Sequence, residues 1–177
     1  MKKITSLLFV GLVCGLFTAC NTATPENYFD EAVLNSNMLV GFANDGLSRE
    51  MESPSVKLKE GTTDQTMPMP RKEVIGNKIT YIESSFEKIK GLKETDDTKD
   101  MLKASVTLYE YVLPVYKNEY IQLAKLYDDN ASKETIDAFT QSIHDKHASK
   151  FDALYNNLIA TGKTYAAKHD IKVKWAD

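Results

Sequence analysis

Two histidines on one predicted helix have the residue type and spacing that could bind a metal. His144 and His147 are three residues apart and so lie on neighbouring faces of one helical turn. Together with a carboxylate such as Glu110 or Glu119 they could hold zinc, copper or iron. The alternative, which we favour, is a His147 at the edge of the core, hydrogen-bonded across the helices. His144 and His147 are therefore the only candidate metal ligands, and we assign no metal or other cofactor.

Motifs for haem, di-iron or enzyme chemistry are absent from the sequence. Di-iron bundles need Glu-x-x-His on two helices, and the chain contains no such motif. It has no Cys-x-x-Cys-His for covalent haem, and non-covalent haem would require Met38 with His147, although methionine on a helix is normally core filler. The nucleophile elbow, the Walker loop, His-Glu-x-x-His and the dinucleotide glycine run are missing too. We expect no enzyme activity; a hydrolase with paired carboxylates is a third class, but nothing selects a pair.

Tyrosines are concentrated on the third predicted helix. They are Tyr109, Tyr111, Tyr116 and Tyr120, and Tyr127 follows them. Buried phenolic hydroxyls need hydrogen-bond partners, so these residues could line a wet inner cavity that binds a small ligand. The alternative, which we favour, places them at the edge of the core with their hydroxyls in water.

The first residues of the chain have the pattern of an export signal. Lys2 and Lys3 give a cationic start, residues 7–17 form an apolar run, and Ala19 directly precedes Cys20. The run is too short to span a bilayer, which needs about 20 apolar residues. A charged start, a short apolar core and a small residue before the cleavage site are typical of secretory signals. We therefore interpret residues 1–19 as a signal peptide.

The junction Leu16-Phe17-Thr18-Ala19-Cys20 resembles the lipobox of bacterial lipoproteins, with Phe17 where that family usually has leucine. In that family the cysteine sulfur is diacylated, the signal is removed, and the new amino group is often acylated too. The resemblance implies that Cys20 is lipidated and that residues 20–24 form a short tether to membrane lipid. The alternative is an ordinary cleaved signal followed by an unmodified Cys20.

The rest of the chain resembles the small, uncharacterised helical lipoproteins of the Gram-negative envelope. The resemblance depends on Cys20, on a start of the type Pro25-Glu26-Asn27-Tyr28, and on amphipathic helices without a site motif. It implies a lipid anchor in the bacterial cell envelope, with the outer membrane as the expected membrane. It transfers no functional residue, and the expected partner is an unknown envelope protein.

Charge and cysteine content exclude other classes. The chain has 22 basic and 25 acidic residues and a formal net charge of −3. Nucleic-acid-binding proteins carry a basic patch or stripe, so no nucleic acid is expected as a partner. Once residues 1–19 are removed, Cys20 is the only cysteine, so no internal disulfide can form and the core must supply the stability.

Hydrophobic periodicity predicts four helices in residues 25–177. In each of them apolar side chains recur at spacings of three and four, which marks one helical face. The predicted helices span about 25–50, 70–92, 99–127 and 133–169. The stripe of the first helix runs through Val33, Val40 and Leu47. Pro114 lies inside the third helix, and we expect it to bend that helix without ending it.

These elements predict an all-α fold, an antiparallel up-down four-helix bundle. Residues 51–69 form a long loop between the first two helices, because Pro54, Gly61 and a polar run interrupt the periodicity. The tail is expected to pack back on the bundle through Trp175. The residues predicted to be buried in the core include Ile82, Phe86, Leu113, Phe139 and Leu154.

The function that follows from the sequence is a membrane-tethered helical binding or scaffold module of the cell envelope. The second class is a metal- or small-ligand-binding bundle in the periplasm or on the cell surface. Bundles host many unrelated functions, so the fold by itself does not decide between the two classes.

Overall fold

The computed structural model describes residues 23–175, so the predicted signal peptide and Cys20 lie outside the described residues. The expected predominance of helix is confirmed. The helices are α1 (Pro25–Ala32), α2 (Asp45–Glu52), α3 (Arg71–Gly91), α4 (Lys99–Val115), α5 (Ile121–Asp128) and α6 (Lys133–Lys168). A 3₁₀ segment (Leu34–Leu39), a π-helical turn (Tyr116–Tyr120) and two strands, β1 (Val56–Leu58) and β2 (Thr66–Pro68), complete the described secondary structure. Within residues 23–175, none of the helices is both long and apolar enough to cross a membrane.

Three long helices pack side by side in alternating directions. They are α3, the continuous helix formed by α4, the π turn and α5, and α6. Asp128 at the end of α5 accepts hydrogen bonds from the backbone N–H groups of Arg71 and Lys72 at the start of α3, at 2.8 and 3.0 Å. Asp97, just before α4, pairs with Lys168 at the end of α6. The middle helix is therefore antiparallel to both neighbours, and the predicted bounds of the second and fourth helices are confirmed.

The predicted first helix is wrong as a single element. It divides into α1, the 3₁₀ segment and α2, because Gly41 and Ala43 have φ angles of 105° and 52°. Positive φ values are incompatible with a right-handed helix and favour glycine. Val40, expected on the buried stripe, is 62% exposed as a result.

Short polar side chains explain why this segment leaves the α-helical path. The Ser36 hydroxyl donates to the Val33 carbonyl at 2.6 Å, which offers the backbone an alternative to a helical hydrogen bond. The Asn44 side chain accepts from the Gly46 N–H at 2.8 Å and so caps α2 as a new helix.

The predicted irregular loop over residues 51–69 contains an antiparallel hairpin. Lys57 of β1 pairs with Met67 of β2, the turn includes Gly61 at φ 76°, and α2 extends to Glu52. Lys57 also forms an ion pair with Glu73, which connects the hairpin to α3. The prediction of a loop throughout residues 51–69 missed this hairpin, because strands of three residues are too short to give a clear sequence period.

On α4, more residues are buried than the single apolar stripe predicted. Of the five predicted core residues Ile82 is fully buried, whereas Phe86, Leu113, Phe139 and Leu154 are only partly buried and lie at the edge of the core. Leu108 and Val112 of α4, which the stripe omitted, are fully buried because this helix contacts α3, α6 and the amino-terminal segment.

Two further contacts position the amino-terminal segment and the tail. At Gly162 of α6, an added Cβ would lie only 2.9 Å from a Val33 methyl carbon, so glycine allows this close approach. Trp175 meets Phe29 of α1 edge-on with ring centroids 5.8 Å apart, which confirms that the tail packs back on the helices.

The cap that Asp128 provides to α3 leads to a first prediction. Asp128→Ala should lower the free energy of unfolding by about 1–2 kcal/mol, since it leaves two N–H groups of α3 without their carboxylate acceptor. The matched control is Asp129→Ala, which removes only an exposed pair with Lys125 and should cost about 0.5 kcal/mol or less. Urea unfolding of both variants measures this difference; equal losses would show that the cap does not stabilise the fold.

Candidate functional site

The structure does not bring the two candidate metal ligands into one site. The His144 side chain is 53% exposed, and its Nδ1 lies 3.3 Å from an Asp145 carboxylate oxygen. His147 is only 15% exposed and faces α4 and the π turn instead. Among the described residues, no group of three or more histidine, cysteine, aspartate and glutamate side chains could hold a metal ion.

Both ring nitrogens of His147 have a protein partner. Nδ1 lies 2.9 Å from the Tyr111 hydroxyl, and Nε2 lies 2.8 Å from Oε1 of Glu119. One neutral tautomer satisfies both contacts: Nε2–H donates to the carboxylate, and Nδ1 accepts the phenolic proton. Of the two acids proposed from the sequence, Glu119 is the one that meets His147, while Glu110 is exposed.

The π-helical turn explains why Tyr111 and Glu119 meet the same imidazole. Eight residues along a regular α-helix would place the two side chains about 80° apart around the axis. A π turn takes up roughly one extra residue, so Glu119 occupies about the seventh place after Tyr111, on the same face. The Asn118 side chain donates to the Pro114 carbonyl at 2.7 Å, at the point where the helical hydrogen-bond pattern changes.

A shell of aromatic rings surrounds this hydrogen-bonded group, with Phe42 at its centre. Phe42 is 1% exposed and lies in the irregular stretch before α2. Its ring is closest to that of Phe151, with centroids 4.8 Å apart. It also contacts the rings of Tyr111, Tyr116, Tyr120 and His147. The shell covers part of the network, whose two hydrogen bonds are partly buried. Partial burial strengthens a hydrogen bond relative to one in open water.

Burial raises the pKa of the tyrosines around this site. Burial is the main cause for Tyr111, whose pKa the charge of Glu119 raises further. Burial raises the pKa of Tyr120 to about 12, against the lowering effect of the Ala43 N–H group. The pKa of Tyr116 lies well above its ordinary value, again through burial, and its hydroxyl has no hydrogen-bond partner in residues 23–175.

The expectation that the tyrosine hydroxyls lie in water is wrong for the most deeply buried of them. Tyr109, Tyr116 and Tyr120 are at most 3% exposed. A phenol with a raised pKa remains protonated at neutral pH and is a poor nucleophile. The Tyr111–His147–Glu119 group joins the π turn and α4 to α6 through its two hydrogen bonds.

The sequence identified His147 and Glu119 but not their full setting. The sequence gives no reason to pair Tyr111, rather than another tyrosine of the third predicted helix, with His147. Phe42 belongs to no predicted pattern, since it follows Gly41 in a segment that the periodicity predicts to be regular helix. The signal that could have indicated the site was Pro114, because an interior proline often accompanies a local change of helix geometry.

Comparison with known proteins does not assign a function to this chain. No protein-family model, curated protein or solved structure matches the chain. Cys20, for which the sequence makes its most specific functional prediction, lies outside the described residues. A proposal therefore depends on the sequence around Cys20 and on the geometry of residues 23–175.

Proposed function

We propose that the protein is a lipoprotein of the bacterial envelope that acts as a non-enzymatic helical binding or scaffold module. Lipid on Cys20 anchors it to a membrane, which we expect to be the outer membrane. The observation that carries this proposal is Ala19-Cys20 directly after a short apolar run with a cationic start. Two or three acyl chains hold a protein stably on a bilayer, whereas one chain binds only marginally.

The start of α1 supports a domain held close to the membrane surface. The Thr24 hydroxyl accepts from the Asn27 N–H at 3.2 Å and caps α1 four residues after Cys20. Four extended residues span at most about 14 Å. The Tyr28 hydroxyl donates to the Lys93 carbonyl at 2.8 Å, so the turn between α3 and α4 lies at this same end.

The tail lies at this end as well, because the contact between Trp175 and Phe29 places it beside α1. The charges here have both signs: the turn between α3 and α4 carries Glu94, Asp96 and Asp97, and Asp97 pairs with Lys168. The support for the anchor at this end is therefore the short distance to Cys20 and not an excess of positive charge.

We propose that the fold is a variant of the antiparallel four-helix bundle. Residues 25–52, although divided into two helices and a 3₁₀ segment, take the position of the first helix. In support, α1 contacts α3, α4 and α6, which are the elements that a fourth helix in a bundle would touch.

A module without enzyme activity agrees with the chemistry of the His147 group. The pKa of Tyr111 is raised rather than lowered, and both nitrogens of His147 are already hydrogen-bonded. Binding of a small ligand is the second candidate function, and a polar cavity near His144 favours it. Metal binding by His144 and His147 has no such support, since the two side chains have different partners.

Lipidation leads to the second prediction. Cys20→Ser should abolish the incorporation of labelled palmitate and leave the chain as an unprocessed or soluble form, because the serine hydroxyl cannot replace the acylated sulfur. Cys14→Ser is the matched control and should remain labelled and membrane-bound. Palmitate labelling and membrane fractionation measure both; label that persists in Cys20→Ser would show that the anchor is elsewhere.

A further inference from the structure

A small polar cavity lies between α2, α6 and the helix that continues from the π turn into α5. Its volume is about 120 Å³. Its walls include the side chains of Ser48, Tyr120, Leu123, Thr140, Gln141 and Ile143. We propose that this cavity binds the hydroxyl-bearing end of a small neutral polyol or sugar.

The Thr140 hydroxyl is the first evidence for a ligand. It is buried without a hydrogen-bond partner among the described residues. Four other helical threonines donate to a carbonyl three or four residues earlier in their own helix: Thr80, Thr107, Thr161 and Thr164. Thr140 makes no such bond although it occupies the same kind of position. A buried hydroxyl without a partner is costly, and a polar ligand in the cavity would supply one.

The charge of the walls limits the ligand to a neutral molecule. Among the residues whose side chains the structure describes, none of those that line this cavity is a lysine, arginine, aspartate or glutamate. The titratable groups among them are Tyr120, which keeps its proton because burial raises its pKa to about 12, and His144, which is half exposed. Burial of a charged ligand without a counter-charge would cost far more than its hydrogen bonds return.

Hydrogen-bonding capacity and apolar surface together point to a hydroxylated ligand. The Tyr120 oxygen already accepts from the Ala43 N–H at 2.7 Å, so its own proton is available to an acceptor on the ligand. Ser48 and Thr140 can each donate and accept, while Leu123 and Ile143 provide an apolar wall. A polyol or sugar has this combination, because its hydroxyl groups alternate with apolar C–H surface.

The size of the cavity decides how much of the ligand enters it. At about 120 Å³ it is smaller than the cavity of about 150 Å³ that holds benzene, so about five heavy atoms fit. An open groove of about 440 Å³ adjoins it and shares Ser48, Thr140 and Gln141. The walls of the groove also include Arg49, Glu52, Tyr127 and Asp137. The rest of the ligand would lie here, among charged groups of both signs to which its hydroxyl groups can donate or from which they can accept.

The site faces away from the proposed membrane anchor. Thr140 lies roughly 40 Å along α6 from Lys168, whose end of the helix adjoins the start of α1. A lipid on Cys20 would therefore leave the cavity open to molecules outside the membrane. The inference rests on the binding role proposed above but not on the lipid anchor. Palmitate labelling tests the anchor and ligand titration tests the cavity, so a negative result in one leaves the other proposal standing.

The test is a titration of the full-length chain in detergent with isotope-labelled isoleucine and leucine methyl groups. The probes are glycerol, xylose and glucose, with acetate and butanol as charged and apolar controls. We expect saturable shifts of the Ile143 and Leu123 methyl signals with xylose or glucose, and none with acetate or butanol. Glycerol, whose six heavy atoms reach little beyond the inner cavity, should bind more weakly than the sugars.

Variants then connect binding to the unpaired hydroxyl. Thr140→Val and Ser48→Ala should each weaken sugar binding about fivefold to tenfold, the effect of one neutral hydrogen bond. Thr164→Val, the same change at an exposed position of α6, should leave affinity unchanged. Circular dichroism checks that each variant is folded. If Thr140→Val does not fold, the affinity of Ser48→Ala for the sugars is the decisive measurement. The proposal is overturned if no probe shifts these methyl signals, if acetate or butanol shifts them as strongly, or if the decisive variant binds as the parent does.

Discussion

Replacement of Phe42 by alanine is expected to lower the free energy of unfolding by about 3–5 kcal/mol, the range measured for the loss of a buried aromatic ring. Phe42 is 1% exposed, and its ring contacts Phe151 of α6 as well as Tyr116 and Tyr120 of the π turn. The resulting cavity would border residues from three separate parts of the chain. Because these neighbours belong to long helices, they can move only partly into the space that the ring leaves.

A matched control for this prediction is Phe139→Ala. Phe139 lies on the predicted stripe of α6, but the structure shows it only partly buried at the edge of the core. Its replacement should cost clearly less than that of Phe42, since less apolar surface returns to water. Urea unfolding of both variants measures the difference. A larger loss at Phe139 would show that the irregular segment around Phe42 is not part of the core.

The long helices could be predicted because their signals are local. The Ser132 hydroxyl accepts from the Thr135 N–H at 3.2 Å and caps the start of α6, and serine is a residue type favoured at this position. Pro70 precedes α3, and the periodic apolar residues of that helix continue to Ile89. Each of these signals depends on a few neighbouring residues and needs no knowledge of the tertiary fold.

The irregular segment could not be predicted because its determinants are contacts distant in sequence. The backbone N–H of Ala43, at φ 52°, donates to the Tyr120 hydroxyl, which is 77 residues away in the chain. A non-glycine residue at positive φ costs energy locally and is retained when the surrounding structure imposes it. The apolar spacing through Val40 and Leu47 therefore indicated a continuous helix that tertiary contacts override.

The candidate sites at His147 and Thr140 also combine features that could be predicted from the sequence with features that could not. His147 and its carboxylate partner could be proposed from residue type, whereas the contact of Tyr111 with the same ring depends on the π turn. A single π turn has no known sequence period, so a count of helical positions places Tyr111 and Glu119 on different faces. The evidence for a ligand site at Thr140 is a buried hydroxyl without a hydrogen-bond partner, which can be recognised only in the structure.

Loss of stability at alkaline pH is the second large effect that we expect. Tyrosines in the unfolded chain ionise near pH 10, whereas burial raises the pKa of Tyr120 in the folded chain to about 12 and holds that of Tyr116 well above its ordinary value. Above pH 10 the unfolded state therefore releases protons that the folded state retains. The stabilisation is complete below pH 10 and is lost as the pH rises through the folded pKa. The shift of Tyr120 alone corresponds to about 2–3 kcal/mol.

Tyr116→Phe separates this effect from the general loss of stability at high pH. The change removes a buried hydroxyl that has no hydrogen-bond partner in the described chain, so stability at neutral pH should rise by about 1–3 kcal/mol. It also removes one phenol that ionises only in the unfolded state, so the decline above pH 10 should become shallower. Tyr81→Phe is the control, since Tyr81 is 70% exposed and should alter neither quantity. Urea unfolding of the three chains from pH 7 to 11, with tyrosinate absorbance recorded in parallel, measures both effects. If Tyr116→Phe destabilises the protein at neutral pH, or leaves the alkaline decline unchanged, Tyr116 is not the buried and unpaired phenol that the structure shows.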